Sequence, residues 1–257
     1  MTTTAPGRLL LMPNALDLGT EAVPLEDVLA AGVIAQAARL QHWVVEDARS
    51  ARAFLQRVNR IAPLAQPLQA LDIVELPRVQ KGGARSAPGR GPAQAADLIG
   101  PARAGHDLGL LSEAGLPGVA DPGAALVAAA HAAGLPVVAL SGPSSLTLAL
   151  AASGLNGQSF AFLGYLPAEA QARRTALRDI EATARRLAQT QVFIETPYRN
   201  AALFDTALEC LQGSTRLAIS CGLTLPTGWS RCRSIAQWKA ERPVLPDRVP
   251  AVFCLLA

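Results

Sequence analysis

The sequence predicts an α/β protein of two domains, and three observations support this fold class. The chain has 257 residues, more than one domain of ordinary size. Hydrophobic residues make up 50% of it and charged residues 17%, which is enough apolar surface to bury a core. In the first half, short apolar runs alternate with helical segments, a pattern typical of strand–helix–strand units.

The clearest such unit has two apolar runs, Asp107–Ser112 and Pro136–Leu140, which predict buried strands. The segment Gly123–Ala133 between them is rich in alanine and leucine and predicts a helix. Asp121 is the expected N-cap of this helix, because a carboxylate followed by proline is typical of a helix start.

The two strands of this unit are expected to be parallel in one sheet. The loops that follow them, Glu113–Asp121 and Ser141–Ser145, should therefore lie at the same edge. Open parallel sheets bind ligands along that edge. The sequence thus predicts a ligand site formed by these two loops.

Other segments complete the prediction. Further strands are expected at Leu9–Met12, Trp43–Val45, Gln191–Glu195, Arg216–Ser220 and Ala251–Leu256, and helices at Glu169–Leu187 and Tyr198–Gln212. Proline-rich turns between the later strands indicate a mixed or antiparallel sheet. We therefore predict a mostly parallel N-terminal domain over residues 1–140 and a mixed C-terminal domain over residues 141–257.

Composition excludes several classes of protein. The four cysteines are far apart, with no Cys-x-x-Cys pair, so we expect reduced thiols and neither a metal site nor disulfides. The longest apolar stretch, Ala124–Leu140, is interrupted by His131, Gly134 and Pro136, which argues against a membrane span. The first seven residues lack an apolar signal core, and we expect a cytoplasmic protein.

A Gly- and Arg-rich segment, Pro77–Pro92, has no apolar periodicity and predicts a loop or insertion. The net charge of +3 permits an anionic partner without requiring one. Motifs for dinucleotide binding, nucleotide hydrolysis, zinc proteolysis and serine hydrolysis are all absent. His42, His106 and His131 share no spacing that would suggest a common site.

Six sequence strings occur in a characteristic order. They are Glu46–Arg49, Leu111–Gly123, Pro136–Ser145, Ala151–Asn156, Phe160–Pro167 and Val192–Arg199. In order and spacing they resemble the S-adenosylmethionine-dependent tetrapyrrole methylases (class III methyltransferases), and most closely an RNA-modifying branch of that family. The resemblance extends from the first predicted strand to the helix after Arg199.

The resemblance implies two α/β domains, S-adenosylmethionine bound in the cleft between them, and usually a homodimer. The implied cofactor-binding residues are Ser112, Glu113, Ala114, Gly115, Pro117, Ala120, Asp121, Gly142, Pro143, Ser144, Ser145 and Thr147. The residue types suit this role independently. Glycines let the backbone approach a ligand, and hydroxyls at a helix start lie beside free amides that favour a carboxylate.

Glu46, Arg49, Glu195 and Arg199 follow predicted strands and are candidates for facing the methyl acceptor. A salt-bridged or solvated role for them is an equal alternative, and no catalytic residue is assigned. The acceptor is either RNA or a tetrapyrrole-like or other small molecule. Five arginines of one helix favour RNA, unless they form a solvent-exposed face in which Glu181 pairs with Arg185: Arg173, Arg174, Arg178, Arg185 and Arg186.

Three positions depart from the pattern of the RNA-modifying branch. Pro13–Asp17 replaces Pro-Thr-Pro-Ile-Gly-Asn, Leu116 replaces a threonine, and Gly222 stands where a glutamate is usual. These departures favour an alternative, a non-catalytic paralogue that keeps the fold as a ligand-binding or interaction protein. A third and weaker reading is another nucleotide-binding α/β enzyme.

Overall fold

The computed structural model describes residues 5–17, 19–77 and 91–257. Most of the Gly- and Arg-rich segment predicted as a loop, residues 78–90, lies outside this description. The chain forms two compact units, Met1–Pro143 and Ser144–Ala257, which are described separately below.

The described residues of the first unit form five short strands: β1 (Leu9–Met12), β2 (His42–Val45), β3 (Asp72–Glu75), β4 (Leu108–Leu111) and β5 (Val137–Ala139). Their order in the sheet is β3-β2-β4-β1-β5, and every neighbouring pair is parallel. The predicted unit between Asp107 and Leu140 thus exists, with β1 inserted between its two strands. The predicted parallel N-terminal sheet is confirmed.

In the part of this unit that the structure describes, the sheet is accompanied by α-helices α1 (Ala31–Arg39), α2 (Ala48–Ile61), α3 (Gly91–Leu98), α4 (Gly100–Arg103) and α5 (Ala124–Ala132) and by 3-10 turns at Leu25–Asp27 and Leu68–Ala70. One hydrophobic cluster includes Trp43 and Phe54, and a second includes Ile99 and Leu126. Every residue of β4 is buried, as expected for a central strand covered on both faces.

The second unit contains α6 (Ser145–Ser153), β6 (Phe160–Tyr165), α7 (Ala170–Leu187), β7 (Thr190–Glu195), α8 (Asn200–Cys210), β8 (Arg216–Cys221), β9 (Trp229–Ser234), α9 (Ile235–Glu241) and β10 (Ala251–Leu256). The strand order is β6-β7-β10-β8-β9. Only the β6–β7 pair is parallel, and the other three pairs are antiparallel. The predicted mixed C-terminal sheet is therefore confirmed.

The main core of the second unit joins its sheet to helices α7, α8 and α9. The rings of Phe193 and Phe253 stack with centroids 5.7 Å apart, and the Trp238 indole N–H donates to the Leu217 carbonyl at 2.8 Å. A separate cluster, which includes Ala149 and Val192, joins α6 to this sheet. The sheet is thus covered by helices on both faces.

Strand β6 lies at an edge of this sheet and is unusually apolar for its exposure. Phe160, Phe162, Leu163 and Tyr165 are all exposed large hydrophobic residues. Gly164, at a φ of +71°, lies where the pairing register with β7 shifts. This irregularity interrupts the regular alternation of side chains between the two faces of the strand.

Two helix boundaries differ from the prediction. Helix α5 begins at Ala124 with Gly123 as its N-cap, so the prediction that Asp121 caps it is wrong. A turn closed by the Gly118 N–H and the Pro122 carbonyl precedes this helix, and Gly123 leaves the turn at a φ of +132°. The predicted helix Tyr198–Gln212 is instead a 3-10 turn, Pro197–Arg199, followed by α8.

Among the described residues, no helix combines the length and the apolar character that crossing a bilayer requires.

Candidate functional site

The loops at the carboxyl edge of the first sheet form the candidate site. Because β2, β4, β1 and β5 are parallel neighbours, the segments that follow them emerge at one edge. The segment after β4 contains residues 112–121, the loop predicted to bind the cofactor and called the cofactor loop below. The segment after β5 leads into the predicted turn at residues 141–145. The segment after β1 passes between them, since β1 separates β4 from β5.

Asn14, in the segment after β1, holds the cofactor loop in place. Its backbone N–H donates to the Gly115 carbonyl at 2.9 Å, and the Gly115 N–H donates back at 3.2 Å. Its side-chain amide donates to the carbonyls of Ser112 and Glu113 at 3.2 and 3.0 Å. Sequence reasoning missed this role, because a single asparagine after a strand carries no distinctive signal.

Glycines permit close approach of the three segments. Gly115 has a φ of +70°, and a Cβ there would lie 3.3 Å from Leu16 Cδ2 and 3.5 Å from the Pro143 carbonyl oxygen. At Gly142 a Cβ would lie 2.2 Å from Pro13 Cβ, which leaves no space for any side chain. The bends at Gly115 and Gly142 therefore meet on the segment after β1, at one edge of the sheet.

The cofactor loop combines a buried hydroxyl with an irregular backbone. Ser112 is 3% exposed, and its hydroxyl has no hydrogen-bond partner among the described residues. Pro117 is buried, Ala114 is half-buried, and Ala120 is exposed at a φ of +63°, a left-handed conformation that L residues rarely adopt. Strain of this kind is often found at binding sites.

Asp121 is half-buried and has an interaction of its own, although it does not cap α5. In the second unit, Ser144 is the N-cap residue of α6, and Ser145 is the first residue of that helix. The Thr147 hydroxyl donates to the Ser144 carbonyl at 3.2 Å. The free N–H groups of the first turn of α6 lie beside these hydroxyls, as predicted from the sequence.

A cavity of about 590 Å³ opens at the same edge of the first sheet. Its lining includes Asn14, Asp47, Arg49, Ser50 and Glu113. Two of the predicted site residues, Arg49 and Glu113, thus share one cavity. Glu46 adjoins them, because its carboxylate accepts the Glu113 backbone N–H at 3.3 Å.

Asp47 has a structural role in this cavity. As the N-cap of α2, it accepts the Ser50 hydroxyl at 2.6 Å and the Ser50 backbone N–H at 2.7 Å. These hydrogen bonds, with the hydroxyl contributing most, lower the pKa of Asp47 below its usual value. Asp47 is therefore engaged in capping α2, whereas Glu113, which lines the same cavity, is exposed.

A buried ion pair contributes to the lining of the same cavity. Arg57, which also lines it, contacts Asp17 at 3.1 Å and donates to the Val23 carbonyl at 2.8 Å. Asp17 also accepts the Gly19 N–H at 3.1 Å. The departure from the family pattern at Asp17 thus has a structural partner, Arg57, 40 residues away in the sequence.

Glu195 and Arg199, the candidate pair of the second unit, form a salt bridge. The Glu195 side chain is fully buried, and its Oε1 accepts Arg199 Nε at 3.0 Å and the Thr196 N–H at 2.7 Å. The alternative of a salt-bridged role is therefore the observed geometry. Arg199 remains partly exposed, with its Cζ 5.7 Å from the ring centroid of the exposed Tyr198.

The arginines of α7 differ in their surroundings. Arg173 is buried and donates to the Thr206 hydroxyl at 3.1 Å, and Arg174 pairs with Glu209 at 2.7 Å. Glu181 is buried and accepts from Gln212 and Thr215, so the predicted pairing of Glu181 with Arg185 is wrong. A continuous basic face on this helix is therefore less extensive than the sequence suggests.

Two predictions about cysteine and histidine can be compared with the structure. All four cysteines are free and buried or half-buried, as predicted. Within residues 5–17, 19–77 and 91–257, no group of three His, Cys, Asp or Glu side chains is placed to hold a metal ion. The rings of His42 and His106 lie 5.2 Å apart beside a polar cavity of about 440 Å³, at the opposite edge of the first sheet from the cofactor loop.

Comparison with known proteins identifies the class. The model of the tetrapyrrole (corrin/porphyrin) methylase family matches residues 30–227, and the chain belongs to this family. The prediction of family from the ordered sequence strings is confirmed.

Two relatives share the name ribosomal RNA small subunit methyltransferase I. The Vibrio cholerae protein is 37% identical over 127 residues, which cover 49% of this chain and 43% of that protein. The Mycobacterium bovis protein is 43% identical over 115 residues, which cover 45% of this chain and 39% of that protein. The chain thus spans less than half the length of the curated relatives it matches.

Solved structures share the fold over nearly the whole chain. The uroporphyrin-III-C-methyltransferase of Thermus thermophilus has a TM-score of 0.52 at 21% identity, covering 97% of this chain and 94% of that one. A structure of the Thermus thermophilus enzyme complexed with S-adenosylhomocysteine has a TM-score of 0.51 at 17% identity, covering 97% of each chain. At these identities the likeness concerns the fold alone.

Proposed function

We propose that the protein is a methyltransferase that binds S-adenosylmethionine through the loop 112–121 and the turn 141–147. The observation that carries this proposal is the arrangement at the carboxyl edge of the first sheet. There, Asn14 holds in place a glycine-containing loop whose buried Ser112 hydroxyl has no partner among the described residues. Membership of the methylase family supports the same conclusion.

The residues fit the proposed cofactor in size and polarity. The Ser112 hydroxyl lacks a partner among the described residues, and burying it without one costs about 1–3 kcal/mol. A hydroxyl or amine of an adenosyl group would supply that partner. Ala114 and Gly118 are small and half-buried and leave the loop backbone beside them accessible, and the free N–H groups of α6 suit a carboxylate. When bound, the cofactor supplies the methyl group.

We assign acceptor binding in the first unit to the cavity lined by Arg49 and Glu113. Arg49 offers a cation for an anionic acceptor, and Glu46 and Glu113 offer carboxylates that can orient a hydroxyl or amine. In the second unit, Glu195 positions Arg199 rather than facing the acceptor itself. Positioning of this kind is the main contribution of a protein to a displacement reaction that its cofactor drives.

RNA is the acceptor that the comparisons favour. The relatives that share 37–43% identity with half of this chain carry the name of a ribosomal RNA methyltransferase. The net charge of +3 is compatible with a polyanionic acceptor. A tetrapyrrole-like small molecule is the second candidate, because a solved structure with the same fold is a uroporphyrin methyltransferase.

A non-catalytic paralogue is the alternative to an enzyme. Leu116 in the cofactor loop and Gly222 after β8 still depart from the family pattern. The departure at Asp17 supports this alternative less strongly, because Asp17 has a structural role as the partner of Arg57. We further propose a homodimer and a cytoplasmic location, as the family resemblance and the reduced thiols favour.

Calorimetry with S-adenosylhomocysteine tests cofactor binding. We expect saturable heat with the wild-type protein and with Gly157→Ala, whose added Cβ has nothing within 4 Å. Gly142→Ala should abolish the heat, since a side chain there overlaps Pro13. No heat at millimolar ligand from the wild-type protein would contradict the proposal.

Transfer of a labelled methyl group tests the acceptor. We expect incorporation into small-subunit ribosomal RNA from cells that lack the corresponding modification. Incorporation into a uroporphyrinoid alone would support the second candidate instead. Cofactor binding without transfer to either acceptor would support the paralogue.

A further inference from the structure

Several aromatic side chains lie along one side of the second sheet, where the ends of its strands meet. The pairing register aligns Glu195 with Ala251, Ala251 with Cys221, and Cys221 with Trp229. The carboxyl ends of β7 and β8 and the beginnings of β10 and β9 therefore lie together. Strand β6, parallel to β7, ends at the same edge, where Tyr165 pairs with Ile194.

Two aromatic–guanidinium pairs stand at this edge. Arg199 Cζ lies 5.7 Å from the ring centroid of Tyr198, and Arg231 Cζ lies 5.1 Å from that of Trp229. Tyr198 is 72% exposed, and Arg231 is exposed as well. We call the set Tyr198, Arg199, Trp229 and Arg231 the aromatic edge.

Composition makes this grouping unusual. Aromatic residues form 4% of the chain, and two of its three tryptophans, Trp43 and Trp238, are fully buried. Tyr198, in contrast, is exposed, and the third tryptophan, Trp229, is partly exposed. An exposed aromatic ring beside a guanidinium is suited to stacking on a flat ring while a cation remains near.

Buried groups hold one of the pairs in position. Glu195 is fully buried and binds two nitrogens of Arg199, at 3.0 Å and 2.5 Å, which fixes the guanidinium beside Tyr198. Trp229 is only partly exposed and packs against the core of the second unit. The Arg199 guanidinium and the Trp229 ring are therefore preorganised, which lowers the entropy lost when a ligand binds.

We propose that the aromatic edge binds a single-stranded segment of the RNA acceptor, with bases stacked on the Tyr198–Arg199 and Trp229–Arg231 pairs. Strands β7 and β9 are three positions apart in the sheet, so the two strands are separated by about 14 Å. The two aromatic rings, each beside a guanidinium, suit single-stranded RNA, because bases and phosphates alternate along the RNA. This inference rests on the proposed RNA acceptor and adds the surface that contacts it.

Binding of a labelled single-stranded oligoribonucleotide, measured by fluorescence anisotropy, tests the proposal. Tyr198→Leu and Arg231→Ala should each weaken binding at least about fivefold, the lower range for losing one stacked base. Tyr198→Phe keeps the ring and should bind within about twofold of the wild type. The matched controls lie at the opposite ends of strands: Phe160→Leu on β6 and Arg216→Ala on β8. Both should bind like the wild type.

Tryptophan fluorescence gives an independent readout. Trp43 and Trp238 are 1% and 0% exposed, so quenching by added oligoribonucleotide should come from Trp229. We expect saturable quenching in the wild type and its loss in Trp229→Phe, with the same titration midpoint as the anisotropy.

The outcomes separate this inference from the proposed function. If the wild type binds RNA and both Tyr198→Leu and Arg231→Ala bind equally well, the aromatic edge is not the contact surface, although the RNA acceptor stands. If calorimetry detects S-adenosylhomocysteine and no RNA binds, or if a uroporphyrinoid quenches Trp229 instead, then both the RNA acceptor and this inference are wrong. Cofactor binding remains supported in either case.

Discussion

Gly142 is the residue at which the candidate site tolerates least change. We predict that Gly142→Ala lowers the free energy of unfolding by roughly 1–3 kcal/mol, because its Cβ would overlap the rigid Pro13 ring. Urea denaturation followed by circular dichroism measures the change. Gly157→Ala is the control, since its Cβ meets open space. Equal midpoints for the two variants would mean that Pro13 and Gly142 are not in contact in solution.

The buried pair of Asp17 and Arg57 leads to a second prediction. Asp17→Asn should lower the free energy of unfolding by about 3–5 kcal/mol, since it leaves the Arg57 charge buried without its carboxylate. Chemical denaturation at neutral pH measures this cost. Glu21→Gln is the matched control, because the Glu21–Arg60 pair lies on the surface, and its midpoint should not change. A midpoint for Asp17→Asn equal to that of the wild type would show that the pair contributes nothing.

At the scale of single residues, the sequence indicates some contributions and conceals others. Gly115 and Gly142 are predictable, because glycine in a loop after a strand signals a special backbone or a close approach. Asn14 and the Asp17–Arg57 pair are not predictable, because their roles depend on partners far away in the sequence. The proposed site residues remain a prediction until ligand binding is measured.

The thiols of the second sheet allow a prediction about secondary-structure elements. Burial raises the pKa of Cys221 to about 11 and that of Cys254 to about 12. Strands β8 and β10 should therefore keep both thiols protonated and unreactive toward an alkylating reagent at about pH 8. Mass spectrometry should find labelling at the half-buried Cys210 and Cys232 first, and at all four cysteines only after denaturation. Rapid native labelling of Cys254 would mean that β10 opens frequently.

Strands differ in how well their sequences predict them. Buried strands β4 and β10 have no polar side chain, and β7 has an apolar centre, Val192–Ile194, so the sequence predicts all three. Strand β9 reads Trp-Ser-Arg-Cys-Arg-Ser and lies at a sheet edge, so most of its side chains carry no apolar signal. The 3-10 turn before α8 also escaped prediction, because Thr196 and Pro197 resemble an ordinary helix start.

The division into two units predicts the unfolding behaviour of the whole molecule. Each unit has hydrophobic clusters of its own, and the remaining tryptophans of a Trp43→Phe variant both belong to the second unit. We expect its fluorescence to follow one transition, whereas circular dichroism follows two with different midpoints. A single transition with the same midpoint by both methods would show that the units unfold together.

Whole-molecule features follow from sequence only where a local pattern repeats. The parallel and mixed sheets were predictable from strand spacing and connecting segments. The His42–His106 contact depends on strand order, and so does the placement of the Tyr198–Arg199 and Trp229–Arg231 pairs at one end of the second sheet, and periodicity does not specify that order. The sequence therefore predicts the type of each sheet better than it predicts which side chains become neighbours.

The apolar edge strand β6 also affects how the protein must be handled. Its outer main-chain groups can pair with another extended chain. Burial of the exposed Phe160, Phe162 and Leu163 side chains would stabilise such pairing. Natural proteins usually protect such strands with charged side chains or proline. Concentrated or gently heated samples should consequently form cross-β aggregates that begin at residues 160–165, and a lysine at Phe162 should delay their appearance.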